Sequence, residues 1–115
     1  MSRGWIQRVQ EAPGFVKYLA KAQGKTIYHR TDGPAHIHSS VGTEAWFVGG
    51  ELHRLDGPAL ITSNGDEIWF ANGKQHREDG PSVVRADGTK VYALHGVWYN
   101  YENWLKALGR ANNGI

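Results

Sequence analysis

The sequence predicts a mainly β protein: an antiparallel meander of three tandem β-hairpin repeats, forming a single sheet or a short solenoid, with a short C-terminal capping helix. Three observations predict it. His29-Arg30-Thr31-Asp32-Gly33-Pro34 recurs as His53-Arg54-Leu55-Asp56-Gly57-Pro58 and as His76-Arg77-Glu78-Asp79-Gly80-Pro81, at steps of 24 and 23 residues. An aromatic follows each motif, at Trp46, Trp69 and Tyr92, and a glycine stands four positions after each aromatic, at Gly50, Gly73 and Gly96. Turn signals also fall twice in each unit, as consecutive hairpins require.

The second repeat shows the pattern best. Ala59-Leu60-Ile61-Thr62 reads as a short strand, Asn64-Gly65 as a type I′ hairpin turn, and Glu67 to Ala71 as the return strand. Asn72-Gly73 then reverses the chain again. Asp87-Gly88 takes the hairpin position in the third repeat. From Pro to aromatic the first repeat spans 12 residues and the others 11, which places one inserted residue in the turn around Ser39–Thr43. In Asp-Gly-Pro, Asp can hydrogen-bond the local backbone, Gly can take positive φ, and Pro fixes φ where the next strand begins. Trp46, Trp69 and Tyr92 should share one face, with Phe47, Phe70 and Ala93 on the other. Both faces being apolar there, other elements or a partner should cover part of the outer one.

The ends are read from their breakers and periodicity. Pro13 and Gly24 could bracket a helix with Phe15, Leu19 and Ala22 inward. Alternatively Phe15–Leu19 is a strand and Gly24 closes a degenerate half-repeat, the reading preferred here. Asn100 looks like an N-cap for a helix from about Tyr101 to Leu108, closed by Gly109. Tyr101, Trp104, Leu105 and Leu108 form its apolar face, which suits an array cap better than a binding helix. The chain reads as one domain over 1–115: a basic segment 1–25, repeats 26–99, a helix 100–109 and a tail 110–115.

Composition limits the chemistry. The chain has no cysteine, which removes disulfides, thiolate catalysis and cysteine zinc sites. No apolar run is long enough for a membrane span, and Met1 to Gly24 lacks a signal-peptide core. A soluble cytoplasmic protein is expected. Residues 1–25 carry five basic side chains against one acidic, whereas residues 26–95 carry six basic against nine acidic. An acidic repeat block is the opposite of a nucleic-acid-binding one.

His-Arg-x-Asp invites a catalytic reading, but the glycine loop, strand lysine and metal-binding aspartate of a kinase are missing, and a catalytic triad needs one nucleophile rather than three equivalent motifs. No enzyme activity is expected. Equivalent residues two strands apart are on the order of 10 Å apart, so His29, His53 and His76 cannot share a zinc with bonds of about 2 Å. His36 and His38 could chelate an ion but lack a third ligand. No metal and no cofactor are expected. The motif instead reads as a register ladder, in which Arg30, Arg54 and Arg77 donate to Asp32, Asp56 and Asp79 or to turn carbonyls of a neighbouring unit, and the histidines bridge between units. Trp46, Trp69 and Tyr92, with the three arginines, are the candidate binding residues, since aromatics and Arg most often anchor interfaces.

The run His-Arg-x-Asp-Gly-Pro-Ala, then a turn, an aromatic strand and Asn-Gly-Lys, resembles the MORN and MORN-variant repeats over about residues 25–99. That resemblance implies antiparallel hairpins and a scaffold role. Small repeat-only chains of this kind also resemble phage accessory proteins, which often inhibit host defence systems. The expected function is therefore non-enzymatic protein binding, with the acidic block suited to a basic partner such as a nucleic-acid-handling host protein. The alternatives are nucleic-acid or nucleotide binding through Arg3, Arg8, Lys17 and Lys21 with exposed aromatics, and a structural homo-oligomer pairing through sheet edges.

Overall fold

Short strands joined by glycine turns follow one another as a meander in the computed structural model, which describes residues 6–109. Before the first motif come β1 (Gln7–Ala12), β2 (Phe15–Ala22) and β3 (Lys25–Tyr28). The first repeat contributes β4 (His36–His38), β5 (Thr43–Ala45), β6 (Phe47–Val48) and β7 (Glu51–Leu52). The second adds β8 (Leu60–Ile61), β9 (Glu67–Ile68), β10 (Phe70–Ala71) and β11 (Lys74–Gln75). The third adds β12 (Val83–Val84), β13 (Lys90–Leu94) and β14 (Val97–Tyr99), and α1 (Tyr101–Ala107) follows. The principal sheet runs β1-β2-β4-β5-β8-β9-β12-β13-β14, with β3 branching from β2 and with β6-β7 and β10-β11 as separate ribbons. The predicted class holds: a mainly β antiparallel meander with one short C-terminal helix. Arg3 and the 110–115 tail lie outside the described residues. Among those described, no helix is long and apolar enough to cross a membrane.

The N-terminal segment is stranded, not helical. β1 and β2 pair across Pro13-Gly14, and β2 continues into a ribbon with β3. That ribbon pairs Leu19↔Tyr28 through Ala22↔Lys25, whereas the ribbon of the first repeat pairs only Phe47↔Leu52 and Val48↔Glu51. The longer ribbon explains why Gly24 stands farther from His29 than the later glycines stand from their histidines. Residues 7–28 thus form a hairpin pair like the others, without the motif.

Two kinds of turn alternate. The ribbon tips have positive φ at both central residues, as at Asn72 (52°) and Gly73 (80°), which is the type I′ geometry that matches strand twist. The sheet turns depart from expectation. At Asn64-Gly65 only the glycine has positive φ (95°), and Thr62 N–H donates to Asp66 O at 3.0 Å. This is a longer loop ending in a left-handed glycine, not a type I′ turn, and Asp87-Gly88 repeats it, with Arg85 N–H donating to Thr89 O at 2.8 Å. The inserted residue of the first repeat does lie in this turn, where Gly42 N–H reaches back to His38 O at 3.0 Å.

The return strand predicted from Glu67 to Ala71 is also interrupted at its aromatic. Trp69 N–H donates forward to Ser82 O at 2.7 Å, while its carbonyl accepts from His76 N–H at 3.1 Å. Trp46 does the same with Ala59 and His53 (2.6 and 3.0 Å). Here the chain changes partner, from the neighbouring repeat's strand to its own ribbon arm.

Cross-strand partners share a face. Lys17, His36, Ala45, Leu60, Ile68, Val83 and Val91 form one row, increasingly apolar along the array. The adjacent row on the other face, Ile37, Glu44, Ile61, Glu67, Val84 and Lys90, mixes apolar and charged residues. The molecule measures 53 × 35 × 18 Å, so it is thin. Its buried apolar residues are mostly small: Ala35, Ala45, Ala59, Ala93, Val16, Val83 and Leu94, with Trp104 as the large exception. The position after each motif proline, Ala35, Ala59 or Ser82, is fully enclosed.

Candidate functional site: the repeated arginine stack

Each motif folds its arginine back on itself. Arg30, Arg54 and Arg77 donate from Nε to the aspartate two residues on, at 2.9, 3.0 and 2.8 Å. Each also donates from Nη1 to the carbonyl of its own proline at 3.1 Å. This corrects the expectation that the arginine reaches the Asp or turn carbonyls of a neighbour. Contact between units comes instead from stacking: Arg54 lies over the Trp46 ring at 3.9 Å and Arg77 over Trp69 at 3.7 Å. Arg30 lies over Tyr18 at 3.9 Å.

The motif glycine has a different reason from the one expected. Gly33, Gly57 and Gly80 do not have positive φ. A Cβ on them would stand 2.7, 2.6 and 2.8 Å from the Cζ of Arg30, Arg54 and Arg77. Each guanidinium is therefore held between an aromatic ring and a bare Cα, which only glycine permits. Asp32 and Asp56 remain largely exposed, and the hydrogen bonds from Arg30 and Arg54 hold their carboxyls below the ordinary carboxylate range.

The histidines bridge within a unit, tying each motif to the ribbon tip of its own repeat, which corrects the expectation that they join neighbouring units. Nδ1 of His29, His53 and His76 accepts from the backbone N–H of Gly49, Asn72 and His95, at 2.8, 2.9 and 2.9 Å. Each donor is the first residue of the next ribbon tip. Accepting at Nδ1 fixes the ring proton on Nε2. In the third repeat Nε2 faces Glu78 Oε2 at 3.1 Å.

The aromatic row thus serves the frame. Trp46 and Trp69 present ring faces to the arginines, and their indole N–H groups are buried without a hydrogen-bond partner. Phe47, on the next position, stacks on Tyr28 at 4.9 Å. Eight residues after Tyr92 stands Asn100, where Trp46 and Trp69 have Arg54 and Arg77. Trp104 stands at 4.9 Å and Tyr101 at 5.2 Å from its ring, and Trp104 Nε1 donates to Arg77 O at 3.2 Å. The helix begins where predicted, Asn100 Oδ1 accepting from Asn103 N–H at 2.8 Å, and it ends the stack. Tyr18 is the member that sequence reasoning missed. Eight residues separate Trp46 from Arg54 and Trp69 from Arg77, but twelve separate Tyr18 from Arg30. The longer first ribbon hid it.

Other candidate groups are dispersed. His36 and His38 flank the Phe15 ring, at 5.2 and 4.9 Å, and no group of three metal-binding side chains occurs among the described residues. Burial, and then the nearby His38 and Lys17, hold the His36 pKa below its ordinary 6.5. The unfolded chain takes that proton more readily, so this contribution to stability is complete above the unfolded value and is lost as pH falls below it. In urea titrations, wild type should lose more stability than His36→Gln between pH 7.5 and 5. Equal slopes would remove His36 as the source. Of the basic cluster, Lys17 pairs with Glu11, and Arg8, opposite Tyr18, lies on the other face from Lys17 and Lys21.

What remains open is the crest of motif loops. An open depression of about 420 Å³ lies between the second and third loops, beside Arg54, Leu55, Trp69, His76 and Glu78. Leu55 is 73% exposed. These features define a tandem β-hairpin repeat array in which the motif is a joint. No protein-family model, no curated protein and no solved structure matches the chain.

Proposed function

We propose that this chain is a non-enzymatic scaffold of the MORN-like kind that binds a protein through its motif crest. The observation that carries the reading is the division of labour within the motif. His, Arg, Asp and Gly are engaged in the same internal contacts in every repeat, which supports a structural rather than a catalytic role for the motif. The residue after the arginine differs each time, Thr31, Leu55 and Glu78, and is exposed. A constant frame presenting varied side chains is how repeat arrays build binding surfaces. The net negative charge of residues 26–95 and the exposed aspartate row favour a basic protein surface. A phage-encoded inhibitor of a nucleic-acid-handling host protein is the finer form of the proposal.

The test compares variants as bait. Wild type should retain a stoichiometric partner from a host lysate, in a salt-sensitive way. Leu55→Asp and Glu78→Lys should lose it with circular dichroism unchanged, while Lys90→Ala on the sheet should keep it. Equal retention by all four proteins, or no stoichiometric partner, would overturn the reading.

A further inference from the structure

We propose that copies of this chain associate head to tail, the free first ribbon tip of one copy docking on the exposed last ribbon of another. Within the chain the same joint is made three times. Gly50, Gly73 and Gly96 donate their N–H groups to the carbonyls of Tyr28, Leu52 and Gln75 on the preceding ribbon, at 3.0, 2.8 and 2.8 Å. These glycines sit close on that ribbon: an added Cβ would touch Ile27 at 3.4 Å, Glu51 at 3.6 Å and Lys74 at 3.6 Å, respectively.

Each end of the array keeps one half of this joint. Gln23 and Gly24 have the same tip geometry, with φ of 52° and 79°, and among the described residues nothing lies within 4 Å of a Cβ built on Gly24. The β2–β3 ribbon that carries them is the longest, so its tip projects. At the other end Trp98 occupies the position of Tyr28, Leu52 and Gln75. The pair flanking the tip, Leu94↔Val97, is hydrogen-bonded in a two-residue hairpin, so the Trp98 carbonyl, one pair on, points outward.

The composition of the last ribbon selects the occupant. Glu51-Leu52 and Lys74-Gln75 are the internal versions of this position, with the charged first residue exposed and Leu52 and Gln75 half-buried. The uncovered version is Val97-Trp98, 53% and 58% exposed, next to Tyr101 at 53%. A terminal repeat ordinarily turns a polar face to water. Here the apolar pair is at the end, and Trp98 is held in place by its Nε1 donating to Gln75 Oε1 at 2.7 Å. Helix α1 takes the place of a fourth motif loop against Tyr92 and leaves the ribbon open. The surface continues an interface the chain already makes with itself, so the fitting partner is a second copy. Tyr99 replaces the bridging histidine, so the joint between copies lacks the Nδ1 acceptor and is weaker than those within a chain.

Such an interface is heterologous and does not close on itself. Light scattering should show a mass that rises with concentration. Trp98→Lys and Gly24→Asp should each weaken association at least tenfold, since each spoils one end; both positions are exposed, and Asp tolerates left-handed backbone. Mixing the two variants should restore association to dimers and no further, because one intact tip meets one intact ribbon. A wild type of constant monomer mass, variants that associate like wild type, or a mixture that stays monomeric would each overturn the proposal. Leu55→Asp should self-associate normally, so failure here is separable from failure of crest binding.

Discussion

Trp104→Ala is expected to destabilise the chain by about 3–5 kcal/mol, the usual range for removing a buried aromatic. Trp104 is 4% exposed and is the one large side chain among the buried apolar residues described. It closes the aromatic stack on Tyr92 at 4.9 Å and gives Arg77 O its indole donor at 3.2 Å. Small domains carry about 5–15 kcal/mol in all, so this loss would remove a large share of the total. Urea unfolding would measure it. Trp104→Phe keeps a ring against Tyr92 but loses the N–H, and should cost about 1 kcal/mol for the hydrogen bond, plus a smaller packing loss. If α1 served a partner rather than the array, Trp104→Ala would leave stability near wild type.

Gly57→Ala is the second. Its Cβ would stand 2.6 Å from Arg54 Cζ, so the guanidinium must leave the Trp46 face and the Pro58 carbonyl. A desolvated cation–π contact contributes about 1–2 kcal/mol and the carbonyl hydrogen bond about 1 kcal/mol. Alanine recovers about 0.5 kcal/mol by restricting the unfolded chain. A net loss of about 2 kcal/mol is expected, slightly less than for Arg54→Ala. The double variant should cost no more than Arg54→Ala alone, and about 0.5 kcal/mol less if alanine's gain is realised, because the clash needs the arginine. Additive losses would mean that Gly57 is required for its own backbone and that the sandwich is not the reason for the motif.

Much of the fold was legible. The motif spacing gave the number of motif-bearing repeats, the extra residue before Trp46 marked the longer turn, and Asn100 marked the start of α1. The roles within the motif were less legible. Spacing places Arg two residues before Asp, but whether it pairs locally or across units depends on where the preceding ring lies. A bare Cα under a guanidinium and a bare Cα at positive φ are both written as glycine. Tyr18 was hidden because a ribbon can lengthen by whole residue pairs without changing which residues meet at its base.

Sequence alone therefore determined that the chain is a β-hairpin array, where its units begin and that its acidic charge lies in the repeats, because periodicity, turn chemistry and charge are properties of the chain itself. Only the tertiary structure decided that the candidate binding aromatics are largely taken up by the arginine stacks. It also decided that Leu55 stands out on the crest and that the array ends on an uncovered Val97-Trp98 ribbon. Those facts depend on what the next unit covers, and that is settled by packing between residues about 20 positions apart in the chain.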